Sequence, residues 1–586
     1  MDKALPFISL ILFSVLFGSC KKESFLGKTK STDLDENTVF ADSAYTMNFL
    51  NGIYSDIGFS VAPNRFKSEG ANGFYFNGGG LDAASDEAEG ALSGAVNTYI
   101  QFATGTVNPA IITNDAWRIS YTNIRRANIF LKHLPDADFS EKLKTRTKAE
   151  ARFLRAWYYF ILLEHYGGVP LMGDSVYNAT DDIPKVRNTF AECVNYIVSE
   201  CDIAAADLDS VQVAENYGRV NKAACKSLKS RLLLYAASPL FNGGQIAESP
   251  ELRAITGYPS ADANRWKLAE DAALEVMNIG YYGLLIDNTT EPGYGFYQVF
   301  TLRKSPELIF ARMQGPNREL EGLWQPPTRG VSNPAAYPYQ DLAEAFGMAN
   351  GRPITDPASG YDASHPYNNR DPRFNNTFIH DQTLVIRRPE LTKFPVNIHI
   401  DATDPSRVSS GQDAIYKGTP TGLYTNKMLN RDVVSDWFNT NTNRCFPLIR
   451  YAEILLNFAE ARNERLAGPD AEVRSAVEEI RKRAGLNPYT LPTGLSKADM
   501  RAVIQNERRL ELAFEGHRFF DVRRWKIAET TENQQMHGTE PTKTATGTTY
   551  RTINVRKHTF DKRMYLWPIP LSEVSKSSQL LQNPGY

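Results

Sequence analysis

The chain has 586 residues, with 65 Lys and Arg against 67 Asp and Glu, and therefore a formal charge of only −2. That balance supplies no global field for steering nucleic acid or an anionic membrane, and neither is expected as a partner. A hydrophobic content of 42% is enough for a large core, although length alone does not fix the number of domains.

The first element is a leader. A single cation at Lys3 precedes the largely apolar run from Leu5 to Phe17, and Gly18-Ser19-Cys20 places small residues directly before a cysteine. Residues 1–19 therefore read as a signal peptide with a lipobox-like end. The apolar run is about 13 residues, short of the roughly 20 that a helix needs to cross a bilayer. Cleavage before Cys20 frees a thiol for acylation, and two or more acyl chains anchor a protein stably where one does not. Ordinary secretion with an incidental cysteine is the alternative. Residues 20–45 are then expected to form a lipidated N-terminus and tether, and 46–586 a single folded domain. Beyond Cys20, Cys193, Cys201, Cys225 and Cys445 lack the CxxC spacing of zinc or redox sites. Cys193 and Cys201 lie about 12 Å apart on one predicted helix, too far for a disulfide, so buried thiols are expected.

Residues of about 64–109 are rich in Gly and Asn and read as a long loop. Within GANGFYFNGGGLDAASDEAEG, from Gly70 to Gly90, the aromatics stand among glycines and cannot form a periodic core face. A sugar ring stacks its C–H face on an aromatic ring while amides, carboxylates and guanidinium groups satisfy its hydroxyls. Tyr75, Phe76, Asn77, Asp82 and Asp86 supply that mixture. The competing reading is that an aromatic here pins the loop to the scaffold. Asp82, Asp86 and Glu87 are also candidates for Ca²⁺, but their order is not that of an EF-hand, and no metal is assigned.

From about Thr113 the pattern becomes helical. In AEARFLRAWYYFILLEHYGGVPL, from Ala149, residues Phe153, Leu154, Trp157, Tyr158, Ile161 and Leu162 form one apolar face. Gly167-Gly168 supplies the stop and Pro170 prevents resumption. The same grammar predicts helices over Trp117 to Leu134, Phe190 to Leu208, Lys222 to Ala237, Trp266 to Ile279, Tyr451 to Leu466, Val473 to Ala484 and Met500 to Trp525. Helices separated by short turns read as hairpins spaced loosely like 34-residue repeats. The fold class is mainly α, with tetratricopeptide-like helix pairs forming one scaffold, long irregular loops and minor short strands.

The second break, about 287–446, is rich in Pro, Asn, Asp and Tyr. Irregular loops on a rigid scaffold are where binding residues concentrate. Trp324, in GLWQPPTRG, lies between glycine and two prolines and outside any helical stripe; Arg329 follows it, and Tyr294 and Tyr297 occupy the similarly irregular EPGYGFYQVF. These four are further candidates for ligand contact, with loop packing as the alternative for Trp324. In RDPRF, Arg370 to Phe374, a structural role for the two arginines is favoured.

NERRLELAFEGHRFFDVRRW, from Asn506, places Glu507 and Glu511 on one helix side with Cα atoms roughly 6 Å apart. Retaining glycosidases hold two carboxyl groups about 5 to 5.5 Å apart, so a glycoside hydrolase is the alternative from the enzyme class. Such pairs normally flank a cleft from opposite sides, however. The favoured reading matches Glu507, Glu511, Glu515 and Asp521 with nearby arginines in helix-packing ion pairs. His517 has no second ligand at metal spacing and is expected to pack through hydrogen bonds.

Taken in order, WRISYTNIRRANIFLKHL from Trp117, the Ala149 motif, GRVNKAACKSLKSRLLLYAASP from Gly218, NNRDPRF from Asn368, RYAEILLNFAEARNE from Arg450, the Asn506 motif and YLWPIPLSEVSKSSQLLQNPGY ending at Tyr586 resemble the SusD/RagB family of outer-membrane nutrient-binding lipoproteins. The resemblance implies tetratricopeptide-like helix pairs, a lid-like role over a SusC-type TonB-dependent transporter, and a ligand that is usually a glycan and in some members a peptide. It implies no shared catalytic residue and no cofactor. Aromatics of the early loop and the middle region often meet in that family to make the binding platform, which singles out Trp324. The expected protein is thus a non-catalytic lipoprotein, lipid-anchored through Cys20 at the outer membrane and exposed at the cell surface.

Overall fold

The computed structural model describes residues 36–66, 68–69, 75–76, 78–91, 97–178, 180–330, 335–404, 410–435 and 441–586. The signal peptide and Cys20 lie outside the described residues. The expected tether is shorter than 20–45, because Glu36–Ala41 and Ser43–Tyr54 are already helical and Phe40 is buried in the core.

The helix Glu141–Tyr166 shows how sequence becomes packing. Ser140 caps its start by accepting from the Leu143 amide, and Gly167 ends it at φ 78°. Its expected apolar face is buried throughout. The polar tips on that face find carbonyls of the preceding segment: Trp157 Nε1 donates to Ile57 O at 2.9 Å and the Tyr158 hydroxyl to Ile53 O at 2.7 Å. Gly168 permits the tight exit, since a Cβ there would sit 2.1 Å from the Asn188 carbonyl.

Helices then stack in chain order. Asp115–His133 packs on Glu141–Tyr166, that helix on Phe190–Ala206, and so on through Lys222–Ala237 and Asn264–Met277. Asn264–Met277 next packs on Tyr451–Arg465, which carries Ala471–Arg483 and Lys497–Glu511. The stack thus continues across the long middle segment as the tetratricopeptide-like, mainly α scaffold. That segment is closed at its base by an antiparallel ladder of Leu308–Asn317 with Thr442–Arg450. Cys193, Cys201, Cys225 and Cys445 are buried thiols.

One expected helix is corrected, and one hairpin is present that was not among the expected elements. Met500 to Trp525 is not one helix: Lys497–Glu511 and Arg518–Arg524 are separated by a turn in which Phe514 has φ 59° and Gly516 φ 77°. The break is fixed by buried cations that take the end carbonyls of the first helix. Lys427 Nζ donates to Glu511 O at 2.9 Å and Ala513 O at 2.6 Å, and Arg450 donates to Glu511 O at 2.6 Å. Secondly, Gln535–Thr544 and Gly547–Lys557 form a long hairpin, with Ile400–Asp401 added in parallel. The alternation in TTYRTINVRK was its signal.

The ion pairs around Asn506 are real but differently partnered. Glu511 binds Arg373, Arg450 and Arg483, and Glu507 binds Arg373 at 2.5 Å. Asp521 joins Arg508 and Arg524, while Arg509 and Arg518 both reach Asp86. Arg523 instead donates to the carbonyls of Met564 and Phe519. Burial opposes the Glu511 charge, yet Arg483, Arg450 and Arg373 hold its pKa at about 2.

Candidate functional site

An open cleft of about 980 Å³ is lined mainly by the middle segment. Three lining strips are stitched by main-chain bonds: the Ala349 amide donates to Asn369 O at 2.8 Å, and the Asn487 amide to Ala349 O at 2.9 Å. Asn369 and Asn487 therefore stand on either side of Ala349. Both are exposed, and neither side chain makes a hydrogen bond among the described residues. Gly293 and Gly485 let this strip approach the 291–293 turn, because a Cβ on Gly485 would lie 2.8 Å from the Gly293 nitrogen.

The short helix Arg373–Thr377 contributes Asn375 and Asn376, and the following strand region contributes Asn426 and Asn430. Asn426 Nδ2 donates to Asn375 O at 2.7 Å, and its amide oxygen still faces the cleft without a donor. Counting Asn350, seven asparagines line the space. Each primary amide offers two donors and a two-lone-pair acceptor, a set suited to adjacent hydroxyls. The hairpin Leu384–Arg387 with Thr392–Pro395 closes the other wall with Leu384, Val385 and Ile386 and the cation Lys393. Amides opposite an aliphatic wall give a surface that hydrogen-bonds one side of a ligand and covers its C–H face on the other.

None of the sequence-predicted contacts lines this cleft among the described residues; Tyr294 and Tyr297 adjoin it only through Arg431. They lie on the helix Tyr294–Thr301, with ring centroids 5.4 Å apart. The guanidinium of Arg431, a lining residue, sits 4.3 Å from the Tyr297 ring centroid and donates to Asn376 Oδ1 at 2.7 Å. Burial raises the Tyr297 phenol pKa despite Arg431 and the bond from the Arg431 amide, so it remains a neutral hydroxyl.

The other predicted contacts sit elsewhere. Trp324 is corrected from an irregular stretch to the last residue of the helix Glu319–Trp324, and at 1% exposure its ring packs edge-on against Phe514 instead of facing solvent. Asp86 is buried and clamped by Arg518 at 2.7 and 2.8 Å and by Arg509 at 3.0 Å. Burial would raise its pKa, but those two guanidinium groups hold it well below the usual carboxylate range. Three of its roughly four acceptor sites are thus taken by guanidinium groups, and the carboxylate is buried with them. Arg329 is buried as well, donating to Phe394 O and Pro395 O at 3.0 Å each, which fixes the strand that carries Lys393. Tyr75 and Phe76 form a two-residue strand paired with Ser68–Glu69, and Asn77 lies outside the described residues.

Burial raises the pKa of Asp82 to about 7 and that of Glu87 well above its ordinary value, and neither Glu87 oxygen has a hydrogen-bond partner. Among the described residues no group of three or more His, Cys, Asp or Glu is placed to hold a metal ion. Glu507 and Glu511 are buried and held by arginines, in keeping with the ion-pair reading of this pair. Among the described residues, no helix is long and apolar enough to cross a membrane.

Comparison with known proteins bears on the same regions. Residues 306–586 match the model described as the SusD family, and residues 89–234 match one described as starch-binding associating with outer membrane. SusD-like protein P2 of Formosa agariphila is 32% identical over 207 residues, 32% of this chain and 36% of that relative, so the match spans about a third of its length. The crystal structure of a SusD-like protein from Bacteroides fragilis superposes with a TM-score of 0.74 at 26% identity, covering 94% of this chain and 99% of the other. A SusD-like carbohydrate binding protein of the same organism has the same fold, with a TM-score of 0.71 at 23% identity and coverage of 93% and 100%.

Proposed function

The chain belongs to the SusD/RagB family, and from that premise we propose that it is a non-catalytic surface lipoprotein that binds a glycan and delivers it to a SusC-type TonB-dependent outer-membrane transporter. The observation that carries the binding part is the cleft of about 980 Å³, with unengaged amides at Asn369 and Asn487 on a scaffold of packed helices. A structural neighbour described as carbohydrate binding supports the same ligand class. Tyr294 and Tyr297 shape the cleft edge through Arg431, and Tyr75, Phe76 and Asn77 belong to the early loop proposed to meet the ligand from a second side. Cys20, acylated, holds the chain at the outer membrane with the cleft facing outward, as the family description of association with that membrane supports.

The test is calorimetric titration of the full chain, in detergent, with a panel of oligosaccharides and peptides. Saturable binding of at least one glycan, weakened by Asn369→Ala with Asn487→Ala, is expected; binding of peptides alone, or of nothing, overturns the glycan reading. For the partner, affinity purification from membranes is expected to recover a large β-barrel in stoichiometric amount, and its absence overturns delivery. Cys20→Ala is expected to release the protein from the membrane fraction without changing ligand affinity.

A further inference from the structure

The cleft is unevenly charged. Its one lining carboxylate among the described residues is Glu291, and that group is already taken by Arg431 at 2.6 Å. Two other cations line the space. Arg370, 6% exposed, spends its donors on neutral carbonyls: Gly347 O at 3.3 Å, Pro366 O at 2.8 Å, Ala343 O at 2.6 Å and Phe346 O at 2.5 Å. Those bonds fix the guanidinium, and no carboxylate forms a direct ion pair with it among the described residues, although Glu344 and Asp371 act on it at longer range. Lys393 stands exposed on the opposite hairpin and likewise pairs with no carboxylate among them. Its strand is held by Arg329 through the carbonyls of the next two residues, so the ammonium is attached to a fixed wall, although it is itself free.

A cavity wall of low polarizability concentrates the field of such cations, free of direct ion pairs, into the cleft. A neutral glycan would use the amides and gain nothing from that field. An acidic one would use both. We propose that the cleft selects saccharides carrying carboxylate or sulfate groups over neutral ones, with Lys393 as the direct anion contact and Arg370 as a second, buried cation lining the same space. This rests on the glycan-binding reading above and narrows its ligand class.

The experiment titrates the full chain with three oligosaccharides of equal length: an oligogalacturonate, a sulfated galactan fragment and a neutral galactan fragment. At least one acidic ligand is expected to bind about tenfold tighter than the neutral one at low salt. That margin should shrink as ionic strength rises and the Debye length falls from about 10 Å toward 3 Å. Lys393→Gln is expected to weaken the acidic ligand about fivefold and the neutral one by no more than about twofold, and Lys393→Glu to weaken the acidic ligand further. The two acidic arms separate carboxylate from sulfate recognition. Equal or tighter binding of the neutral fragment, or a Lys393→Gln variant that weakens all three alike, overturns the selection while glycan binding stands. Failure of every saccharide in the wider panel overturns the glycan reading itself.

Discussion

Arg373, Arg450 and Arg483 end on carboxylates deep inside the molecule, around Glu511, whereas the side chains of Asn369 and Asn487 at the cleft end on no partner among the described residues. Both regions are dense in polar side chains, and both join the middle segment to the helices that follow it. The difference lies in whether the protein completes its own hydrogen bonds. A buried charge left alone costs far more than its pair returns, so the interior is closed on itself. An exposed amide costs little while water serves it, and it is therefore available for exchange with a ligand. Satisfaction, more than residue type, separates scaffold from site here.

The strongest way to break this contrast is to open the interior. Glu511→Ala removes the carboxylate that Arg373, Arg450 and Arg483 share, and is expected to lower stability by about 3 to 5 kcal/mol, read as a fall in the urea midpoint. Trp324→Ala should cost a similar amount, about 3 to 5 kcal/mol, through the cavity it leaves, with ligand affinity of the folded fraction unchanged. If Trp324→Ala instead kept the urea midpoint and abolished binding, the division drawn between core and cleft would be lost.

Next in size is the response to pH. The Glu511 pKa is depressed to about 2, so its stabilisation is present above the ordinary glutamate pKa and is lost as pH falls from there toward 2; its full contribution is on the order of 3 kcal/mol. Burial has the opposite effect at Asp82 and Glu164, whose carboxyls keep their protons to about 7 and about 8. What they contribute is full below the ordinary carboxylate pKa and declines as pH climbs through those values. Urea midpoints measured from pH 3 to 9 should therefore peak on the mildly acidic side, and a plateau to pH 9 would contradict the buried-acid assignment. The cleft variants are smaller still. Asn369→Ala and Asn487→Ala should each weaken ligand binding by about fivefold without moving the urea midpoint. Tyr294→Leu, a step further from the ligand, should cost about twofold.

The stack was legible because apolar periodicity and glycine stops are local: Phe153 to Leu162 declare their face, and Gly167 its end, in a single stretch. The break after Glu511 was not, since Lys427 and Arg450, the side chains that terminate that helix, come from positions remote in sequence. Aromatics in irregular stretches drew attention to Trp324, and the reasoning failed there because a short helix turned the ring into the core. The cleft was half visible. The asparagine-rich composition of 287–446 was plain, but only the bonds joining Asn369, Ala349 and Asn487 show which amides share one space.

The ladder between Leu308–Asn317 and Thr442–Arg450 has a consequence for length. It returns the chain to about 4.8 Å, one strand spacing, from where it departed. Residues 318–441 are thereby a cassette with fixed ends, and the entropy of closing such an excursion grows only slowly with its size. Within the cassette, Arg373 and Lys427 tie back to Glu511 in the helical body, so the stretches between those anchors are the ones free to change length or chemistry while Asn264–Met277 still meets Tyr451–Arg465.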